Sequence, residues 1–387
     1  MFLNNKNKIL HLSPTDIRYD SRILKELKAV KRIENTTLVA YGIDDPEGHK
    51  YETEHIPFIR VFNIVTKELK FLPRPLRYFL NLIEAFFRMV IPGIKYRPDV
   101  IHCHDTLYLP IARVIKLFCG SILIYDAHEL ESDKAGQSKI LSKYTLFIEK
   151  MMWKDIDVLI SVSPSIINWY NEHLGKKKSV LILNSPLLDT SHKENNKSNY
   201  LREKFNIPEG KKIFLYLGII SQVGRGVNLY LDVFQRKELD SHIVFIGYGE
   251  YVDEIKKIAL NNTNIHYHPA VPHHQVVDVS MSADVGLCLV EAVSLSDYYC
   301  LPNKLFEYAF SELYVLASDF PDIKNVVEEY NLGKCSSLEA ENIFKIIKDI
   351  ESLDLSNRPK KDLYPLSWNF QESELIKMYN NILKNKK

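Results

Sequence analysis

Cysteine is scarce and scattered. The 387 residues hold five, Cys103, Cys119, Cys288, Cys300 and Cys335, and no two make a C-x-x-C pair. That spacing argues against a disulfide framework and a thiolate zinc site, and it fits a reducing compartment. Glycine is also sparse, at 14 residues, with no G-x-G-x-x-G among them, which weighs against a dinucleotide oxidoreductase. Neither a Walker loop nor a G-x-S-x-G elbow occurs. No apolar run approaches the ~20 residues of a membrane span. Residues Met1–Lys8 are polar and lysine-bearing and lack the apolar core of a signal peptide. Charge is balanced at +1 overall, so no global field draws the chain to nucleic acid, and none is expected as a partner.

What is present reads as a soluble α/β protein, expected in the cytoplasm. The composition is 46% hydrophobic and 26% charged, which is globular, and 387 residues are too many for one comfortable core. Short β-branched runs alternate with helical patterns. The first half predicts strands at Ile9–Ser13, Thr37–Tyr41, Val100–His104, Ile122–Asp126, Val158–Val162 and Val180–Leu183. They are apolar on both faces, as covered parallel strands are. Between the first two, Ile23, Leu24, Leu27 and Val30 line one helical face and Lys25, Lys28 and Lys31 the other. A polar stretch at 189–204 reads as a linker. A second α/β run follows, with strands predicted at Ile213–Leu217, Ile243–Ile246, Ile265–His268, Val285–Leu289 and Val315–Ser318. The economical reading is two doubly wound, Rossmann-like domains, 1–188 and 205–366, facing across a cleft, with a C-terminal helix in 367–387. Ligands of such sheets bind beyond the carboxyl ends of the strands.

The sharpest local motif is LPNKLFEY, 301–308. Pro302 suits a helix start. A lysine there opposes the helix dipole, so Lys304 makes sense where an anion sits. Glu307, one turn on, can accept hydrogen bonds from ribose hydroxyls. The competing reading is an ordinary surface helix start. Arg225 is flanked by Gly224 and Gly226 after a strand ending in Gly218; the glycines admit a ligand and the guanidinium grips phosphate. Gly247 and Gly249 repeat that placement after the next strand. In the first half, YDAHE groups Asp126, His128 and Glu129, a setting that can orient sugar hydroxyls or move protons, unless His128 is only structural. His102, His104 and Asp105 end the preceding strand. The pairs His102-x-His104, His266-x-His268 and His273-His274 lack carboxylates at ligand spacing, and Asp155-x-Asp157 reads as a helix-to-strand turn, so no metal is expected.

One stretch bears on membranes. After Lys67, Lys70 and Arg74 comes LRYFLNLIEAFFRMVI, 76–91, whose Arg77, Asn81, Glu84 and Arg88 make one narrow polar stripe at helical spacing. Either the helix is buried on most sides, or 67–91 is a peripheral inner-membrane contact with basic anchors.

Taken in order, SPTDIRYDSR (13–22), PDVIHCHD (98–105), YDAHE, DIDVLISVS (155–163), YLG (216–218), the GRG loop, IGYGE, ADVGLCL (283–289), LPNKLFEY and SWNF (367–370) resemble the family 4 glycosyltransferases, retaining enzymes of the GT-B fold. The resemblance covers nearly the whole chain. It implies a C-terminal helix that crosses back to the first domain. It places Gly218, Arg225, Gly247, Ala270, Val271, Asn303, Lys304 and Glu307 around a nucleotide-sugar donor, a UDP-sugar by expectation, with no cofactor. It makes His128 a catalytic residue with Arg225 and Lys304, and puts Asp16, Asp20, His104, Asp105 and Glu129 on the side of a glycan or lipid-linked acceptor. Departures fall at Tyr299, where the family often has a first glutamate, at Ile219, a usual arginine, and at Glu312 and Tyr314, a usual Gly and Pro. The implied reaction is metal-independent sugar transfer with retention in capsule, lipopolysaccharide or related polysaccharide synthesis. Two alternatives are a sugar-nucleotide epimerase of the same architecture and a non-catalytic partner in a glycan assembly complex.

Overall fold

The computed structural model describes residues 6–45, 56–187, 199–272, 275–355, 359 and 361–385. Two compact units divide the chain: one runs to Ile182 and takes back the segment from Glu372, and the other is Leu183–Gln371. Residues 189–198 of the expected linker, with His273 and His274, lie outside the described residues; Tyr200–Lys204 form a short helix.

The first unit is a seven-stranded parallel sheet. In chain order its strands are β1 (Asn7–Leu12), β2 (Thr36–Ile43), β3 (Ile59–Phe62), β4 (Val100–His104), β5 (Ile122–Ala127), β6 (Val158–Ser161) and β7 (Lys178–Leu181). Their spatial order is β3-β2-β1-β4-β5-β6-β7. The second sheet has six strands, β8 (Ile213–Ile219), β9 (His242–Tyr248), β10 (Ile265–Pro269), β11 (Val285–Cys288), β12 (Tyr314–Ser318) and β13 (Gly333–Ser336), ordered β10-β9-β8-β11-β12-β13. All pairings are parallel, which is the Rossmann-like arrangement expected. Strand order reverses between β1 and β4 in one sheet and between β8 and β11 in the other. These switch points open crevices at the strands' carboxyl ends.

The central strands β4 and β6 are buried along their whole length, so their apolar runs announce them. The strands that sequence reading misses are at the edges. β3 reads Ile-Arg-Val-Phe and is only half-buried, and β13 reads Gly-Lys-Cys-Ser. Short edge strands with a charge inside lack the signal of a covered strand.

The last helix, Trp368–Asn385, belongs to the first unit from Glu372 onward. Its Tyr379 hydroxyl lies 2.7 Å from His102 Nδ1 and 3.1 Å from His11 Nε2, so it caps polar atoms of β4 and β1. The helix expected at 76–91 spans Arg74–Tyr96. Burial on most sides is not what the structure shows. Only Ala85, Met89, Val90 and Gly93 are buried, along one stripe, while Glu84 accepts the Val65 and Thr66 amides at 3.1 and 2.8 Å. Among the described residues no helix is long and apolar enough to cross a membrane.

Glu312 follows the C-cap of helix Asn303–Phe310 at φ 59°, a left-handed conformation that a Cβ disfavours. Glu312→Gly is therefore expected to raise unfolding stability by roughly 1 kcal/mol. A higher denaturation midpoint with an unchanged denaturant slope is the expected result.

Candidate active site

In the first unit a carboxylate is the hub. Strand register sets His11 beside His102 and His104 beside Asp126. Alternate residues of a strand share a face, so all four groups meet. Asp126 Oδ1 accepts from Arg22 Nη2 at 3.0 Å, while Oδ2 lies 3.1 Å from His128 Nε2, 3.3 Å from His104 Nδ1 and 3.4 Å from His102 Nε2. Burial works to raise this carboxyl, but Arg22 and His128 hold it well below the usual carboxylate range. Burial alone lowers a histidine; at His128 the Asp126 and Asp105 carboxylates overcome it and push the imidazole up to about 10. His104, beneath it, falls to about 3 through burial and the neighbouring His102. His128 is thus a cation with its ring partly exposed, on a stack of neutral imidazoles. Glu26, 3.1 Å from Arg22 Nε, is raised to about 8 by burial and by Asp126.

His11, His102 and His104 crowd closely enough to suggest a metal centre. Their rings stack at interplanar angles of 26° and 21°, His11 Nδ1 lies 3.0 Å from His104 Nε2, and Glu26 and Asp126 stand close to His102 and His104, so carboxylates do join this cluster although the sequence spacing did not show them. Arg22 already supplies the counter-charge to the carboxylates. What joins these groups is a set of hydrogen bonds and ion pairs. Asp155 and Asp157 are held by Arg113 and Lys116 at the turn into β6, as expected.

Asp105 sits just past β4 at φ 60°, the strained left-handed region, with its carboxylate 3.9 Å from His128 Nδ1. Glu131 is buried beside it and bonded to Lys134 at 2.9 Å; burial, then Asp105, raises its carboxyl well above the usual range. Sequence reading missed Glu131, Arg22 and Glu26, which look like ordinary loop and helix-surface charges. The structure brings His104, Asp105 and His128 together and leaves Glu129 exposed beyond them. It assigns Asp16 and Asp20 to capping: Asp16 accepts from the Arg18 amide and guanidinium, and Asp20 accepts from Ile23 N at 3.0 Å.

In the second unit the crevice lies where β8 and β11 part. Gly218 pairs with Gly247, and a Cβ on Gly247 would stand 1.8 Å from the Gly218 carbonyl oxygen. Gly226, at φ 69°, turns the chain into helix Val227–Phe234 and passes so close to Leu289 that a Cβ would lie 2.9 Å from its carbonyl oxygen. The Glu291 carboxylate accepts the Gly224 amide and fixes the loop that presents Arg225. Lys304 is the second residue of helix Asn303–Phe310, buried, with Nζ 4.3 Å from the centre of the Tyr216 ring. Burial lowers its ammonium to about 8, and the positive charge of Arg225 adds to the shift. Among the described residues neither Lys304 nor Arg225 has an ion-paired carboxylate. Asn303 is exposed at the helix start and Glu307 half-buried one turn on; Ala270 and Val271 follow β10. Tyr308, unremarked in the sequence, donates to Leu287 O at 3.2 Å and accepts from Leu217 N at 2.9 Å, tying the helix to β11 and β8.

Comparison with known proteins adds the following. A model of Glycosyltransferase Family 4 matches residues 24–185, and one of Glycosyl transferases group 1 matches residues 198–362. An uncharacterized glycosyltransferase of Methanocaldococcus jannaschii is 22% identical over 218 residues, 54% of this chain and 53% of the relative, so the chain spans about half the length of the curated relative it matches. Among solved structures, the sucrose-phosphate synthase of Thermosynechococcus elongatus superposes with a TM-score of 0.76 at 14% identity, covering 98% of this chain and 100% of that one. The Anabaena protein HepE, in complex with UDP-glucose, gives 0.66 at 14% identity, covering 95% and 92%.

Asp126→Asn leaves Arg22 and His128 without their shared counter-charge, and a loss of ~3–5 kcal/mol is expected. Because the folded-state value of His128 lies above the unfolded one, its contribution is full below ~6.5 and is lost as pH rises through about 10. Denaturation at pH 6 and pH 10 should show that loss in the parent and a smaller one in Asp126→Asn.

Proposed function

The chain belongs to the family 4-like glycosyltransferases, and from that premise we propose that it moves a sugar from a nucleoside diphosphate to a glycan or lipid-linked acceptor. The observation that carries this reading is the pair Lys304 and Arg225, two cations at one switch point that, among the described residues, have no ion-paired carboxylate. A diphosphate would supply the missing charge, with the amides at the start of helix Asn303–Phe310 adding to the hold. In this proposal Gly218 and Gly247 let the phosphates approach the backbone, Asn303 receives the sugar, Glu307 holds the ribose, and Ala270 and Val271 flank a base, uracil by preference. Support for a UDP-sugar comes from the fold shared with a protein solved with UDP-glucose.

The chemistry proposed is departure of the nucleoside diphosphate with attack by the acceptor hydroxyl from the same face, which retains configuration. The leaving phosphate takes the acceptor proton. Lys304 and Arg225 stabilise the negative charge that grows on that phosphate, the role a divalent ion plays elsewhere, so the reaction is proposed to be metal-independent. His128, cationic and oriented by Asp126, donates a hydrogen bond to the sugar. Asp105 and Glu129 accept from acceptor hydroxyls, with His104 supporting His128 from beneath. A growing surface polysaccharide is the acceptor class proposed, and residues 67–91 are proposed to contact the membrane that would carry a lipid-linked acceptor.

Arg225→Ala and Lys304→Ala should each lower kcat/KM roughly ten- to a hundredfold, the worth of a charge-assisted contact of ~1.5–3 kcal/mol. Parent-like rates in both would misplace the donor site. Activity should survive chelation by EDTA. Turnover of the donor without an acceptor would point to the epimerase alternative.

A further inference from the structure

We infer that helix Lys139–Met152 forms, with helix Arg74–Tyr96, one docking face for an anionic lipid bilayer, a deeper contact than residues 67–91 alone provide. The inference rests on the membrane contact proposed for 67–91. Helix Arg74–Tyr96 packs on helix Leu109–Cys119, which packs on helix Lys139–Met152, so the three form one layer of the first unit. The outer surface of that layer is unusually apolar. On the first helix Leu76, Phe79, Ile83, Phe87 and Ile91 recur at helical spacing, with Phe79 59% and Phe87 58% exposed. This stripe lies opposite the buried stripe Ala85, Met89 and Gly93, since each pair such as Phe87 and Met89 stands ~200° apart at 100° per residue. On the third helix Ile140, Tyr144, Phe147 and Met151 make a second exposed stripe, with Ile140 83% exposed. Lys139, Lys143 and Lys150 run immediately alongside it. Between them Leu117 and Phe118 are exposed at the end of the middle helix.

The charge on this layer selects the occupant. Helix Leu109–Cys119 has no acidic residue, and the sole carboxylate of helix Lys139–Met152, Glu149, is buried and bonded to Thr106, Tyr125 and Tyr170. Glu84, alone on helix Arg74–Tyr96, is spent on Arg88 and two backbone amides. The three helices therefore offer cations and apolar side chains with no free carboxylate of their own, and Glu68, exposed just before the first helix, is outnumbered by Lys67, Lys70, Arg74 and Arg77. Two copies of it would repel, which disfavours self-association. Aromatic and aliphatic stripes edged by lysine match the headgroup–acyl boundary of an anionic bilayer.

Co-sedimentation of the full chain with phosphatidylglycerol–phosphatidylcholine vesicles, against pure phosphatidylcholine, tests the inference. The parent should bind the anionic vesicles and release in high salt. Ile140→Ser/Phe147→Ser, and separately Lys139→Gln/Lys143→Gln/Lys150→Gln, should each weaken binding at least tenfold, the lysine set approaching a hundredfold at low salt. The far-ultraviolet circular dichroism and thermal midpoint of each variant report folding and should stay at the parent values. If both sets bind vesicles like the parent while Phe79→Ser/Phe87→Ser does not, the inference is overturned and the contact through 67–91 stands. If the parent binds no anionic vesicle, or the substitutions change only the oligomeric state, both readings fall.

Discussion

A charge taken out of water needs a counter-charge, and this chain meets that demand differently in its two units. In the first, Asp126 is fully surrounded: Arg22 on one oxygen, three imidazoles on the other. In the second, Lys304 is buried over an aromatic ring beside Arg225, and among the described residues no carboxylate is in ion-pair contact with it. The first charge is compensated within the protein. The second is costly until something negative arrives, a cost that the proposed diphosphate would relieve.

The network also ties the chain's end to its beginning. Stacking three neutral histidines in a core leaves ring nitrogens that need partners. Tyr379 of the last helix provides one, reaching His11 and His102. The same network fixes His128 as the exposed, positive member, so a structural requirement of the sheet and the charge state of a candidate catalytic group have one origin.

Much of this was legible in the sequence and some was not. The central strands announce themselves because burial on both faces forces continuous apolar runs. LPNKLFEY and the GRG loop are local, so their chemistry can be read from neighbours in the chain. The Asp126 network cannot, since Arg22 and Asp126 are 104 positions apart and His11 and Tyr379 are 368 apart. Arg22 and Glu26 look like helix-surface charges until the sheet they pack on is known. The helix at 74–96 was ambiguous for another reason. Its apolar positions outnumber those one sheet contact can cover, and periodicity shows a stripe without showing what lies against it.

The central claim is that the uncompensated charge at Lys304 is satisfied by a nucleoside diphosphate. Calorimetric titration of UDP from pH 6.5 to 9.5, repeated in buffers of different ionisation enthalpy, tests it directly. An anion favours the protonated amine, so affinity should be full below about 8 and fall above it, with proton uptake on binding near that pH, and both features should vanish in Lys304→Arg. UDP affinity that is flat across this range in the parent, with no proton uptake, would contradict the claim.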